Sequence, residues 1–123
     1  MKKLLVVDDS QLICKVVEAY LKKRDWQVEV CPGPFGVLKK VADFQPSVVL
    51  LDIRMPGLNG QGVAKLLKNN KHKFEVVLFS SEPVDVMVDM VSNGLAWGYF
   101  VKGHTLDGLD MLLDRALSAQ ATL

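Results

Sequence analysis

Five residues whose chemistry could converge stand at the ends of short apolar runs. Asp8 and Asp9 follow Leu4-Leu5-Val6-Val7, and Asp52 follows Val48-Val49-Leu50-Leu51. Ser80 follows the run from Phe74 to Phe79, and Lys102 closes Tyr99-Phe100-Val101. A short unbroken β-branched and leucine run reads as a strand buried on both faces, as in a parallel α/β sheet. Ligands of such sheets bind beyond the carboxyl ends of the strands, so charges placed there point to chemistry. Carboxylates about 4 Å apart repel by roughly 1 to 4 kcal/mol per pair, so the acidic cluster calls for a cation. A small set of oxygen ligands around an open position suits Mg²⁺ better than zinc. A nucleophilic carboxylate, a divalent cation, a hydroxyl and a lysine around one point form a phosphoryl site, where catalysis is mostly positioning and charge neutralisation.

Those ends must be brought together by the elements between them, and the chain alternates strand and helix patterns. After the first strand, Ile13, Val16, Val17, Tyr20 and Leu21 have helical spacing, and Asp8, Asp9 or Ser10 can cap that helix. Trp26 to Val30 alternates apolar and polar, which predicts a strand at the sheet edge, broken by Pro32-Gly33-Pro34. A short helix fits Phe35 to Phe44, stopped at Gln45-Pro46-Ser47. Asn59 can cap a third helix with Val63, Leu66 and Leu67 inward and Lys65 and Lys68 outward. Pro83 suits the first turn of a fourth helix, with Val84, Met87, Val88 and Val91 as its core stripe and Asn93-Gly94 as its stop. Thr105 can cap a last helix that buries Leu106, Leu109, Leu112, Leu113, Ala116 and Leu117. Five βα units with right-handed crossovers predict an α/β fold, a doubly wound five-stranded parallel sheet of flavodoxin-like order 2-1-3-4-5 with five helices. That order makes the first and third strands neighbours and crowds Asp8, Asp9 and Asp52 at one end of the sheet.

Length and composition bound the remainder. At 123 residues the chain is one domain, expected to span 1–123. Half the residues are hydrophobic and the net charge is +1, which argues against disorder and against a basic face for nucleic acid. No apolar run approaches the roughly 20 residues of a membrane span, and the start meets an acidic pair too soon for a signal peptide, so a cytoplasmic location is expected. Cys14 and Cys31 form no CxxC, and His72 and His104 have no ligand spacing with them, so both cysteines are expected to be reduced and structural.

Asp8-Asp9, Asp52-Ile-Arg-Met-Pro-Gly-Leu-Asn-Gly60, Ser80-Ser81 and Gly98-Tyr99-Phe-Val-Lys102 together resemble the response-regulator receiver domain of two-component signalling. The resemblance spans the whole chain in order and spacing. It implies that Asp52 accepts a phosphoryl group from a phosphohistidine on a histidine kinase or a phosphotransfer protein. It implies Mg²⁺ held by Asp9, Asp52 and the backbone carbonyl of Arg54, with Asp8 acting largely through water. Ser80 and Lys102 would contact phosphoryl oxygens, and Tyr99 would be the aromatic that rotates inward with Ser80. Such a domain is a signalling module that catalyses its own phosphorylation and dephosphorylation rather than an enzyme acting on a separate metabolite. It is either a single-domain regulator or one module of a longer protein.

Two features depart from the family. Proline usually follows the lysine, whereas Lys102 is followed by Gly103, which loosens that loop. Arg54 and Glu82, two residues beyond Asp52 and Ser80, fall where the family varies and could pair across the crevice to modulate the phosphoryl group. Two other classes fit less well. A haloacid-dehalogenase-like phosphatase needs a second aspartate where Arg54 stands, and a flavodoxin-like carrier needs a phosphate loop where Asp8-Asp9 would repel an anion. For output, Val86 and Met90 are left over beside the core stripe of the fourth helix. With Tyr99 and Met111 they are expected to form an exposed apolar face that docks a downstream protein or a second copy.

Overall fold

In the computed structural model, residues 2–55, 60–69, 73–81, 84–103 and 105–121 are described. The first strand, β1 (Lys3–Val7), leads through α1 (Gln11–Lys22) to β2 (Gln27–Cys31), and α2 (Val37–Phe44) returns to β3 (Val48–Leu51). Helix α3 (Gly60–Lys68), β4 (Glu75–Ser80), α4 (Val84–Ser92), β5 (Gly98–Val101) and α5 (Leu109–Ala121) complete the order. All pairings are parallel and the sheet order is β2-β1-β3-β4-β5, as the alternating pattern predicts. β3 is buried along its whole length, which is why its sequence shows no polar alternation.

Each strand alternates between two cores, because successive side chains leave opposite faces of the sheet. Leu5, Val7, Val49, Leu51 and Leu78 meet α2, α3 and α4 on one face. Leu4, Val6, Leu50, Val77 and Phe79 meet α1 and α5 on the other. Helix α1 opens on Ser10, whose hydroxyl accepts from the Ile13 N–H, so of the three possible caps the serine is used.

Several expectations fail locally. Phe35 lies ahead of α2 and is 88% exposed, because the helix starts only after Gly36, whose φ of 82° takes the left-handed region. Leu66 is 58% exposed rather than inward. Gly60, Val63, Ala64 and Leu67 already form the i, i+3, i+4, i+7 stripe, and Leu66 falls outside it. Thr105 does not cap α5. Its Oγ1 accepts from the Asp107 N–H in a turn, and the helix begins after Gly108 at φ 86°. Asn59, Pro83 and His104 lie outside the described residues.

The largest correction concerns α4. Met90 is 1% exposed and Met87 is fully buried, whereas Val84 and Val88 face solvent beside Val86. Helix α4 is apolar on several sides, so two helical phases fit its sequence. Met87 is inward in both phases, and the observed one exchanges Val84 and Val88 for Met90, whose long unbranched side chain reaches into the core under the sheet.

Gly60 has a structural requirement. A Cβ there would lie 2.7 Å from the Cα, Cβ and carbonyl oxygen of Ile53, the residue after Asp52. Gly60→Ala is therefore expected to destabilise the fold by about 1 to 3 kcal/mol, even though alanine is the better helix former. Urea denaturation measures this, and an unchanged or raised midpoint would show that the α3 start does not press on Ile53.

Candidate functional site

The register of three neighbouring strands builds the site. Val7 pairs with Leu51, and the Asp52 N–H donates to the Val7 carbonyl at 2.9 Å, which places Asp52 beside the end of β1. The Asp8 N–H donates to the Cys31 carbonyl at the end of β2. On the other side, the Lys102 N–H donates to the Ser80 carbonyl at 3.0 Å, so the chain leaves β5 level with the end of β4.

The side chains then converge. Carboxylate oxygens of Asp8, Asp9 and Asp52 lie within 4.8 Å of one another. Asp8 is 1% exposed, Asp52 3% and Ser80 fully buried, while Asp9 faces solvent. The Lys102 ammonium lies 2.8 Å from Asp8 Oδ2 and 3.3 Å from Asp52 Oδ2. Backbone amides satisfy the other oxygens. The Ser10 N–H donates to Asp8 Oδ1 and the Arg54 N–H to Asp52 Oδ1, both at 2.9 Å. The structure thus gathers Asp8, Asp9, Asp52, Lys102 and the Arg54 backbone at one point, with Ser80 at the adjoining strand end. Tyr99 pairs with Leu78 in the sheet and packs, half-buried, against the core under α2, α3 and α4. Met111 is exposed on α5, and Glu82 lies outside the described residues.

Three neighbours escape the sequence reading. The Phe79 ring lies 5.1 Å from the Lys102 ammonium, supplying a cation–π contact beneath it. The Cys14 thiol donates to the Asp8 carbonyl, and burial followed by the charge of Asp8 pushes its pKa up to about 11, so it stays a thiol. A hollow of about 330 Å³ opens beside Lys102, lined by Ile13, Val16, Tyr20, Thr105 and Leu106. Only the aromatic at the end of the β4 run carries a sequence signal, since alternation places Phe79 on the α1 and α5 side.

Burial raises the pKa of Asp52, against the opposing pull of the Arg54 amide and of Lys102. Burial alone would lower that of Lys102, but Asp8 and Asp52 outweigh it and hold the ammonium charged. An all-oxygen cluster with one carboxylate open to water fits a hard divalent cation such as Mg²⁺. Asp8, Asp9 and Asp52 are the side chains that would hold it.

Because the folded-state pKa of Asp52 is raised, folding favours its protonated form. Its contribution is present below the unfolded carboxylate range and is lost as pH rises through the folded value. At neutral pH, ionised Asp52 therefore costs stability, and its removal still leaves Lys102 paired with Asp8. Asp52→Asn is expected to stabilise the metal-free fold at neutral pH, the gain fading as pH falls through the carboxylate range. Urea denaturation in chelator across pH measures this, and a loss of stability at neutral pH would mean that the Lys102 attraction outweighs burial.

Comparison with known proteins follows this geometry. Residues 4–114 match the response regulator receiver domain. Regulatory protein AtoC of Escherichia coli is 28% identical over 97% of this chain, which covers 26% of that protein. Protein PilG of Pseudomonas aeruginosa is 38% identical over 67% of this chain and 56% of its own length. The chain thus spans between about a quarter and just over half of these relatives. Response regulator TrrA of Thermotoga maritima, solved in complex with Mg²⁺ and BeF, superposes with a TM-score of 0.82 at 27% identity, covering 94% of this chain and 99% of that one. A receiver domain from Clostridium thermocellum reaches 0.88 at 21% identity over 99% and 98%, a likeness of fold. With the match running from β1 into α5, the chain belongs to the response regulator receiver domain family of two-component signalling.

Proposed function

We propose that this chain accepts a phosphoryl group on Asp52 from a phosphohistidine of a kinase or phosphotransfer protein, in the cytoplasm, and passes the signal on by protein contact. The observation that carries the reading is the pair of buried carboxylates at adjacent strand ends sharing one lysine ammonium, beside a third carboxylate open to water. Asp52 Oδ1 is held by the Arg54 amide, leaving Oδ2, on the Lys102 side, to attack phosphorus. The O–P bond forms as the P–N bond to imidazole breaks, and the imidazole takes up a proton. The transferred group brings negative charge that Lys102 would meet directly, and the hydroxyl of Ser80, at the end of β4, would approach one of its oxygens. Bound Mg²⁺, held by Asp8, Asp9 and Asp52 with the Arg54 carbonyl, would neutralise the remaining charge. Water attack on the acyl phosphate later returns the carboxylate and inorganic phosphate.

The hollow between α1 and the segment after Lys102 supports a protein donor, because it offers apolar docking surface beside Lys102, the partner of Asp52. For output, phosphorylation shifts an existing equilibrium in which Ser80 and Tyr99 move together. Tyr99 touches the core under α4, so its position bears on an exposed face made by Val84, Val86 and Val88 of α4, Tyr99 of β5 and Met111 of α5. Arg54, exposed two residues beyond Asp52, stands beside the site to tune the phosphoryl lifetime.

A small phosphodonor with Mg²⁺ is expected to add one phosphate, seen by intact mass spectrometry and absent in Asp52→Asn. Amide shifts under beryllium fluoride should extend from the crevice to Tyr99 and α4. An unchanged mass with every donor tried, phosphohistidine proteins included, would contradict the reading.

A further inference from the structure

Lys102 carries charge that a phosphoryl group on Asp52 must meet, yet its own loop does little to fix it. A Cβ on Gly103 would meet nothing within 4 Å, so the residue after the lysine packs against no neighbour at that point. The lysine side chain is 18% exposed and lines the hollow of about 330 Å³ beside α1. Asp107, a carboxylate outside the acidic cluster, lines the same hollow and offers the ammonium another partner. The contacts that hold the lysine tip, 2.8 Å to Asp8 Oδ2 and 3.3 Å to Asp52 Oδ2, use groups that the reaction claims. Phosphoryl transfer takes an oxygen of Asp52, and a bound Mg²⁺ would draw on both carboxylates. Both events weaken the ion pairs when the lysine must stay in place.

One neighbour of the ammonium is touched by neither event. The centroid of the Phe79 ring lies 5.1 Å from Lys102 Nζ. That is within cation–π reach, and the attraction strengthens where water is excluded. Phe79 is 2% exposed. Register puts the ring there. Phe79 pairs with Phe100 between β4 and β5, and their ring centroids lie 5.9 Å apart at 39°, so Phe100 braces the ring. Side chains alternate along a strand, so Lys102, two residues past Phe100, leaves on the same side of the sheet. An aliphatic side chain such as that of Val77, two residues earlier in the same core, meets the needs of burial but presents no π face to a cation.

We propose that Phe79 is a positioning residue for phosphoryl transfer, its ring face keeping the Lys102 ammonium at the crevice as Asp8 and Asp52 release it. The proposal rests on the reading of Asp52 as phosphoacceptor. Phe79 acts through the lysine, so its electrons matter as well as its volume.

Fluorine on the ring drains the π face while nearly keeping its shape, and therefore separates this role from packing. Proteins with one, two or three ring fluorines placed at Phe79 are compared with the parent and with Phe79→Leu, circular dichroism reporting the fold. In the metal-free parent, the Lys102 ε-methylene protons are expected to show an upfield ring-current shift in NMR spectra, absent in Phe79→Leu. The shift should persist in the parent under Mg²⁺ and beryllium fluoride, and diminish there as fluorines are added. Phosphorylation by a small phosphodonor should slow across the series by about three- to tenfold, the factor to which a partly desolvated cation–π contact corresponds. The fluorinated proteins carry the test if Phe79→Leu does not fold. Parent rates throughout the fluorinated series, a lysine shift indifferent to the Phe79 ring, or loss of the parent's shift under beryllium fluoride would each overturn the proposal and leave the reading of Asp52 standing. A parent that takes up no phosphate from any donor would overturn both.

Discussion

Two buried carboxylates share one ammonium, and the site depends on that arrangement. Asp8 and Asp52 are both nearly excluded from water, and Lys102 lies within 3.3 Å of an oxygen of each. Charges so placed are costly unless paired, and one cation between two anions leaves a net negative site. That residue of charge gives the crevice its demand for a further cation, and the exposed Asp9 provides the route by which one could enter. The same ammonium is the group that meets incoming phosphoryl charge, so the interaction that keeps the resting site intact also prepares it to react.

The scaffold meets this demand through register. Asp8, Asp52 and Lys102 are separated by dozens of residues, yet parallel pairing sets their strands so that each chain leaves the sheet at the same end. Gly60 lets α3 start against Ile53, which keeps the turn after Asp52 close to the sheet. Lys102 is followed by Gly103, where an added Cβ would meet nothing, so the loop itself holds the lysine weakly. Its position is set by Asp8 and Asp52 at the tip, the Phe79 ring beneath it, and the Ser80 carbonyl at its backbone.

The strands and their carboxyl ends were readable from sequence because burial on both faces leaves an unmistakable apolar run that stops at the polar residue facing the crevice. Asp52 after Val48–Leu51 and Ser80 after the β4 run are such cases. Helix phase was less readable. In α4, valines and methionines surround the axis, so Met90 could be placed outward on pattern alone, and only the packing of the longer side chains under the sheet decides for the interior. Leu66 was misplaced for the opposite reason: a complete stripe of Gly60, Val63, Ala64 and Leu67 left no room for it, and glycine and alanine are easily overlooked as core positions. Both errors fall on the face covered by α2, α3 and α4, where exposed apolar residues form surface rather than core. Contacts between elements, such as the Cys14 thiol on the Asp8 carbonyl, arise from the tertiary arrangement and have no local pattern to reveal them.

The shared ammonium is tested most directly by following the side-chain carboxyl carbons of Asp8, Asp9 and Asp52 by NMR through a pH titration, with and without Mg²⁺ and again in Lys102→Met. The account predicts that Asp52 titrates above the ordinary carboxylate range, that Mg²⁺ lowers its midpoint, and that loss of Lys102 raises it further. An Asp52 midpoint in the ordinary range, unmoved by Mg²⁺ and by removal of the lysine, would contradict it.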